Sequence, residues 1–251
     1  MRNSPTPTEE IAAEWNKNAV ARHRQIVSEI DISYHRILIP TILRLVGDTR
    51  NKGVIDVGCG SGYLSSKLAT NASRVVGVDP SKRMIEIAEH DYAKVPRLKF
   101  YNLSIEDFAK EHADAQFDVA VSNMSLITIP NLAAAFMAIS ATLVPEGIFA
   151  FNITHPCFWN EHRKYEESDR FRYQVPHAQK GKFIISHDSQ GLPSPTTHFH
   201  RPLEEYFRSM HCASLVVDDL VEPFPSPNVE RLYPEPWKTP RFLSIRCIKR
   251  G

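Results

Sequence analysis

Gly58, Gly60 and Gly62 stand at alternate positions in the run Val54-Ile55-Asp56-Val57-Gly58-Cys59-Gly60-Ser61-Gly62. A turn so poor in side chains lets a ligand lie directly against the main chain. A second apolar run, 74–78, ends at the acid Asp79. Asp79 follows Gly60 at about the spacing, roughly twenty residues, at which an acid beyond the second strand reaches a ribose hydroxyl. Asp56, just ahead of the turn, would repel a pyrophosphate and suit a cationic group. The chemistry implied is binding of a nucleoside that carries positive charge and no phosphate.

Other ligands of glycine turns fit these residues less well. A P-loop needs Gly-Lys-Ser/Thr after four spacers, and no such lysine follows. The dinucleotide fingerprint is G-x-G-x-x-G, whereas the spacing here is G-x-G-x-G and Tyr63 takes the place of the third glycine. D-x-G-x-G-x-G after an apolar strand resembles motif I of the class I S-adenosylmethionine-dependent methyltransferases. Phe117-Asp118-Val119-Ala120-Val121-Ser122-Asn123 is similar to that family's fourth-strand motif, whose end faces the transferred methyl. Leu143-Val144-Pro145-Glu146-Gly147 resembles its L-x-P-G-G turn, with Glu146 replacing the first glycine. Leu103-Ser104-Ile105-Glu106-Asp107 resembles the segment D-A-E-D-L, where the first acid often holds the adenine amino group. Ser104 stands in that place, so the contact is either weaker or supplied by Glu106, while Ile105 offers apolar contact to the ring. The resemblance implies S-adenosyl-L-methionine as cofactor, with Asp56, Gly58, Cys59, Gly60, Gly62, Asp79, Pro80, Ser104, Ile105 and Asn123 around it. Cys59 reads as a small neutral spacer, not a nucleophile.

A sulfonium methyl is already activated, so the protein's work is to hold a lone pair in line with the carbon–sulfur bond. An acceptor that arrives protonated needs a base, and histidine is the usual one. His155, His162, His177, His187, His198 and His200 crowd the middle of the chain. His155 follows the expected fifth strand, and ligands of doubly wound sheets bind outside the carboxyl ends of strands. It is the first candidate base, or else a cap on that strand, and His200 is the second. His198 and His200 alternate on one expected strand and so share a face, but no third ligand with metal spacing accompanies them, and no metal is expected. Phe158, Trp159, Tyr165, Phe171, Tyr173 and Phe183, with Tyr206, Phe207, Tyr233 and Trp237, supply an aromatic acceptor pocket or a small second core. Trp15, His23 and Tyr34 belong to leading helices, which in the resembled family often fold over the cofactor.

These residues need a scaffold, and the pattern supplies one. Apolar strands are expected at 53–57, 74–78, 98–101, 117–122 and 148–153, with helices at 63–69, 81–93, 105–112 and 132–143 between them. Continuous apolar strands separated by amphipathic helices mean a parallel sheet covered on both faces. Strands at 214–221 and 242–248, after a helix at 203–211, suggest a closing antiparallel hairpin. The fold class is α/β: a doubly wound, mostly parallel seven-stranded sheet with a C-terminal antiparallel hairpin, N-terminal helices and an insert after the fifth strand. Residues 1–47 form a helical lid, 48–153 a Rossmann-like cofactor core, 154–201 an acceptor-side insert and 202–251 the rest of the core. Within the insert, 183–186 and 197–200 are short strands and 190–193 a turn.

The 251 residues carry 30 Lys and Arg against 29 Asp and Glu, which leaves no electrostatic footprint for nucleic acid or an anionic membrane. No apolar run suits a signal peptide or a membrane span. The four cysteines are scattered, without a C-x-x-C pair, so neither a zinc site nor a disulfide framework is suggested. The N/D-P-P-Y/F motif common in amino-methylating nucleic-acid enzymes of the resembled family is replaced by Ser122-Asn123-Met124-Ser125. The expectation is a cytoplasmic methyltransferase acting on an O or N atom of a small molecule, aromatic or apolar. The alternatives are a peptide N-terminus as acceptor, or a silent binding subunit that keeps the fold.

Overall fold

Alternation along each strand decides the architecture, because a strand buried on both faces must feed two separate cores. The computed structural model describes residues 7–159, 171–188 and 190–251; His162 and Tyr165 lie outside them. Helix α1 (Pro7–Val27) is followed by a π-helical turn (Tyr34–Leu38) and α2 (Ile39–Val46). The alternating core then runs β1 (Gly53–Val57), α3 (Tyr63–Leu68), β2 (Arg74–Val78), α4 (Lys82–Asp91), β3 (Leu98–Tyr101), α5 (Ile105–Glu111), β4 (Phe117–Asn123), α6 (Leu132–Thr142) and β5 (Leu143–Thr154). Strands β6 (His177–Gly181) and β7 (Thr196–His200) come next, then α7 (Leu203–Cys212), β8 (Leu215–Val221), the single turn α8 (Pro227–Glu230) and β9 (Phe242–Lys249).

The main sheet has seven strands in the order β3-β2-β1-β4-β5-β9-β8. β1 to β5 are parallel, and β9 runs antiparallel to both β5 and β8. The expected closing hairpin is therefore present. Ile55 and Val57 face a core with Phe117, Phe136, Phe149 and Phe151, covered by α5, α6 and α7. Val54, Val75, Val119 and Val121 face the opposite core, with Ile42 and Leu45 of α2 and Leu64 and Leu68 of α3. Each fully buried Phe or Leu contributes about 1.5–3 kcal/mol relative to exposure. The edge strand β8 pairs with β9 in broken register, with a bulge between Val217 and Asp219.

Two expectations about the strands change. β5 begins at Leu143, earlier than the apolar pattern suggests, and Glu146 sits within it at φ 62°. That left-handed conformation is the one a glycine adopts without cost, which is why the resembled turn carries glycine there. The insert holds a two-stranded antiparallel ribbon, β6–β7. The partner of β7 is His177–Gly181, whose polar residues gave no strand signal, and not 183–186. Phe183 instead turns toward α1, packing edge-on against Trp15 at 6.4 Å.

α1 is fastened to the insert and to the core. Glu14 accepts from the backbone N–H and the hydroxyl of Thr197 at 2.7 and 3.0 Å and pairs with Lys180 at 2.6 Å. Asn18 and the Ser194 backbone exchange two hydrogen bonds. On the other side Asn16 accepts from the Ser81 hydroxyl and the Arg83 N–H.

Asn152 of β5, fully buried, ties three elements at the site end of the sheet. Its amide donates to Leu38 O at 3.0 Å and to Asn123 Oδ1 at 2.8 Å, and it accepts from Ser244 Oγ at 2.7 Å. Asn152→Leu strands three buried polar partners, so it should cost about 2–4 kcal/mol. Thermal unfolding should show a midpoint lower by roughly 4–16 °C; an unchanged midpoint would exclude this network as a structural tie.

Candidate functional site

The glycine turn is bent back onto the end of β2. Gly58 N and Cys59 N both donate to Val78 O, at 2.8 and 3.1 Å. Gly58 has φ 70°, and a β-carbon there would lie 2.2 Å from Ser125 Cβ. Ser125, beyond β4, reaches across to donate to Val57 O at 2.7 Å. The absent side chain of Gly58 thus admits the neighbouring loop. Gly62, at φ 83°, serves packing too: a β-carbon would meet Phe100 at 2.7 Å, and Gly62 does not border the cavity described below. Of the three turn glycines, Gly60 alone has room for a β-carbon, with Met84 Sδ its nearest neighbour at 4.0 Å.

Two carboxylates flank this turn. Asp79 accepts from Gly60 N at 2.9 Å and from Ser81 N at 2.8 Å, one bond to each oxygen, so each oxygen keeps a lone pair. Burial pushes its pKa up to about 6, against the pull of those two N–H groups. Asp56, 1 % exposed, accepts from Ser65 Oγ at 2.6 Å. Its pKa is pushed up to about 7, mainly by burial and further by the charge of Asp79. Burial resists the ionisation of both acids, and a cation placed beside them would favour their charged forms.

A cavity of about 270 Å³ opens over the carboxyl ends of β1, β2 and β4. Asp56, Gly58, Cys59, Gly60, Asp79, Pro80, Ser104, Ile105 and Asn123 all border it. Trp15 and Arg22 of α1, Tyr34 of the π-helical turn and Phe183 of the insert border it from above. Arg22 pairs with Asp31 at 2.7 Å and lies over the rings of Tyr34 and Phe183. His23, expected among the covering residues, instead pairs with Asp91 at 2.9 Å. The Asn123 carbonyl accepts from Asn152, while its Nδ2 is buried without a partner among the described residues.

Some side chains have other occupations. The Ser104 hydroxyl caps α5, accepting from Asp107 N at 3.1 Å and donating to Asp107 Oδ2 at 2.7 Å. Glu106 borders the cavity too, with its carboxyl pKa raised by burial. Burial pushes the Cys59 thiol up, which suits a spacer.

The two candidate bases are not in this cavity. His155 Nε2 bonds Glu222 at 2.8 Å, its Nδ1 accepts from Cys157 N at 3.2 Å, and its ring lies against Phe158. His200 Nε2 bonds the Tyr173 carbonyl at 2.8 Å. Both border a separate void of only about 20 Å³. The sequence places them correctly at strand ends, but strand ends also need anchoring, and both rings serve that. His198 does border the large cavity, as does Trp159. Tyr206 belongs to the main core and Phe207 is exposed. Among the described residues no group of three His, Cys, Asp or Glu could hold a metal ion, and no helix is long and apolar enough to cross a membrane.

The reading of the sequence missed Asp31, Arg22 and Arg241. No spacing marks them, since each reaches the cavity from a segment distant in sequence. Met124 was also missed; it follows the fourth-strand motif at φ 65°, a conformation uncommon for a non-glycine residue.

The family model described as "Methyltransferase domain" matches residues 48–192. An uncharacterised protein of Haemophilus influenzae is 29% identical over 196 residues, covering 73% of this chain and 75% of its own. The ubiquinone biosynthesis O-methyltransferase of Aromatoleum aromaticum is 31% identical over 116 residues, 44% of this chain, and the chain spans about half, 49%, of that enzyme. A solved structure from Listeria monocytogenes superposes with a TM-score of 0.70 at 24% identity, over 85% of this chain and 97% of its own.

Gly58→Ala should be severe, because the added carbon meets Ser125 and the backbone is left-handed. We expect a loss of about 3–5 kcal/mol in denaturant unfolding. Adding Ser125→Gly should recover the packing part and leave about 1–2 kcal/mol of conformational cost. No recovery in the double variant would show that the clash is not with Ser125.

Proposed function

The chain belongs to the S-adenosylmethionine-dependent methyltransferases, and on that premise we propose that it methylates an O or N atom of a small molecule held in the cavity over the sheet. The observation that carries this reading is the pairing of two buried, raised carboxylates with an open glycine turn. Asp79 would accept the ribose hydroxyls on its remaining lone pairs, the Gly60 backbone would pass close to the nucleoside, and Ile105 with Glu106 would hold the adenine. Asp56 would face the cationic methionine end, and the buried Nδ2 of Asn123 would find its missing acceptor at the end of β4. When bound, S-adenosyl-L-methionine supplies an activated methyl group. The protein's part is to exclude water and to orient the acceptor's lone pair.

The acceptor side is the region bordered by Trp159, Met124, Phe242 and Phe183. It is enclosed by α1 and the insert, which we read as a joint lid of roughly small-molecule size. That enclosure favours a small acceptor over a peptide or nucleic-acid strand. A cytoplasmic location fits the same reading. His155 is assigned to joining the start of the insert to the segment after β8 and His200 to closing the insert on itself through Tyr173, and His198, which borders the cavity, would be the histidine to meet an acceptor.

Three outcomes test this. Asp79→Ala should weaken S-adenosylhomocysteine by about 30- to 150-fold in calorimetry, the equivalent of roughly 2–3 kcal/mol; unchanged affinity in a folded variant would remove Asp79 from the site. Because Asp79 must be ionised to accept both hydroxyls and its pKa stands near 6, affinity should fall as pH drops through that value. The wild type should bind roughly tenfold more weakly at pH 5 than at pH 7.5, and a flat profile would count against an ionised Asp79.

His155→Gln should keep turnover within about threefold, whereas a catalytic base would cost 10²–10⁴-fold. Burial lowers the pKa of His155, so the folded protein resists its protonation while the unfolded chain accepts a proton near pH 6.5. The resulting stability is complete above about pH 6.5 and is lost as pH falls toward the lowered value. The variant should be less sensitive to acid over that window; identical pH profiles would contradict the assignment.

A further inference from the structure

We propose that Arg241 anchors an anionic group of the methyl acceptor, a carboxylate or a phosphate ester carried on an apolar, ring-sized body. The proposal rests on the methyltransferase reading above and names its acceptor class.

Arg241 immediately precedes β9, and Phe242, the next residue, pairs with Thr154 at the end of β5. All three residues border the large cavity. The backbone is fixed there, since Arg241 O accepts from His155 N at 2.9 Å. The guanidinium lies over two buried rings, Trp237 at 4.5 Å and Tyr233 at 5.4 Å. Stacking covers one face of the cation and leaves its planar fork of N–H donors to bond edge-on.

Those donors lack acceptors. Among the described residues no carboxylate stands within ion-pair distance of Arg241, and no hydrogen bond satisfies its side chain. The acid whose charge acts on it, Glu235, is exposed. Arginines elsewhere near the cavity are treated differently. Arg22 is paired with Asp31, and Arg201 donates to the carbonyls of Leu126, Ile129 and Pro130. A half-buried guanidinium held rigidly beside a cavity with its donors unused has the geometry that recognises a carboxylate or phosphate bidentately.

The cavity is therefore polarised. Asp56 and Asp79 make the turn end hostile to an anion, while Arg241 makes the β5–β9 end receptive. Trp159, with its ring 5.9 Å from that of Phe242, and Met124 provide an apolar wall beside the guanidinium. A molecule with an acidic head and an apolar body would be oriented by these two ends, its head on Arg241 and its body toward the end of β4.

The test is calorimetric titration of the full chain, saturated with S-adenosylhomocysteine, using benzoate, phenyl phosphate and the neutral benzamide. The wild type should bind at least one anion about 10- to 100-fold more tightly than benzamide. The stronger of the two anions identifies the head group. Arg241→Gln should abolish that preference while S-adenosylhomocysteine affinity stays within about twofold, and Arg241→Lys should keep part of it because charge remains without the fork. The wild-type comparison stands even if loss of stacking on Trp237 unfolds the variants. Equal binding of the three probes, or a preference that survives in a folded Arg241→Gln protein, overturns the proposal. If S-adenosylhomocysteine itself fails to bind the wild type, the methyltransferase reading falls and takes this one with it.

Discussion

The carboxylate of Asp79 is the tie on which the site depends. One oxygen holds the N–H of Gly60 and the other the N–H of Ser81. Through the first it fixes the turn after β1, and through the second the start of α4. Ser81 in turn caps α4 and holds Asn16 of α1. A single acid thus sets the relative positions of two strand ends, a helix start and the leading helix. The cost is a carboxylate kept half-satisfied beside a cavity, with its ionisation resisted by burial. A ligand that brings hydroxyls and positive charge would relieve both penalties, so positioning and binding draw on the same atoms.

The roof over that site is built from two parts that need each other. α1 has its own helical register but gains its place from Glu14 and Asn18, which satisfy backbone groups of the insert near β7. The insert, whose regular structure among the described residues is a two-stranded ribbon, has a fold element that is marginal alone. Their junction combines these polar, charge-assisted contacts with an aromatic contact, Trp15 against Phe183. Such polar contacts are worth modest net energy each.

Much of this was legible in the residues. The five parallel strands are apolar runs, and their turns carry glycine or acid where geometry demands it. What stayed hidden has a common physical cause: function assembled from residues distant in sequence carries no spacing. Arg22 and Asp31 lie close together near the start of the chain, and Arg241 is separated from them by most of its length. The polar strand β6 is stabilised by its partner and not by an apolar face. Two residues of the resembled motifs have structural work that their positions in the motif do not announce. Gly62 matches a ligand turn yet clears space for Phe100, and the Ser104 hydroxyl is spent capping α5. His155 shows the same ambiguity, because a strand end facing a cavity and a strand end needing an anchor look alike in one dimension.

The broken register of β8 bears on how the molecule behaves among its own kind. β8 is the last strand of the sheet, with Val216 and Leu220 exposed, and a regular edge of that composition would template pairing with another chain. The bulge between Val217 and Asp219 interrupts the row of free backbone groups, and Asp218 and Asp219 place two acids along it, paired with Arg246 and Arg44. Straightening that strand, or neutralising its acids, would convert a guarded edge into a sticky one, so the seven residues of β8 hold the barrier to edge-to-edge pairing of two copies.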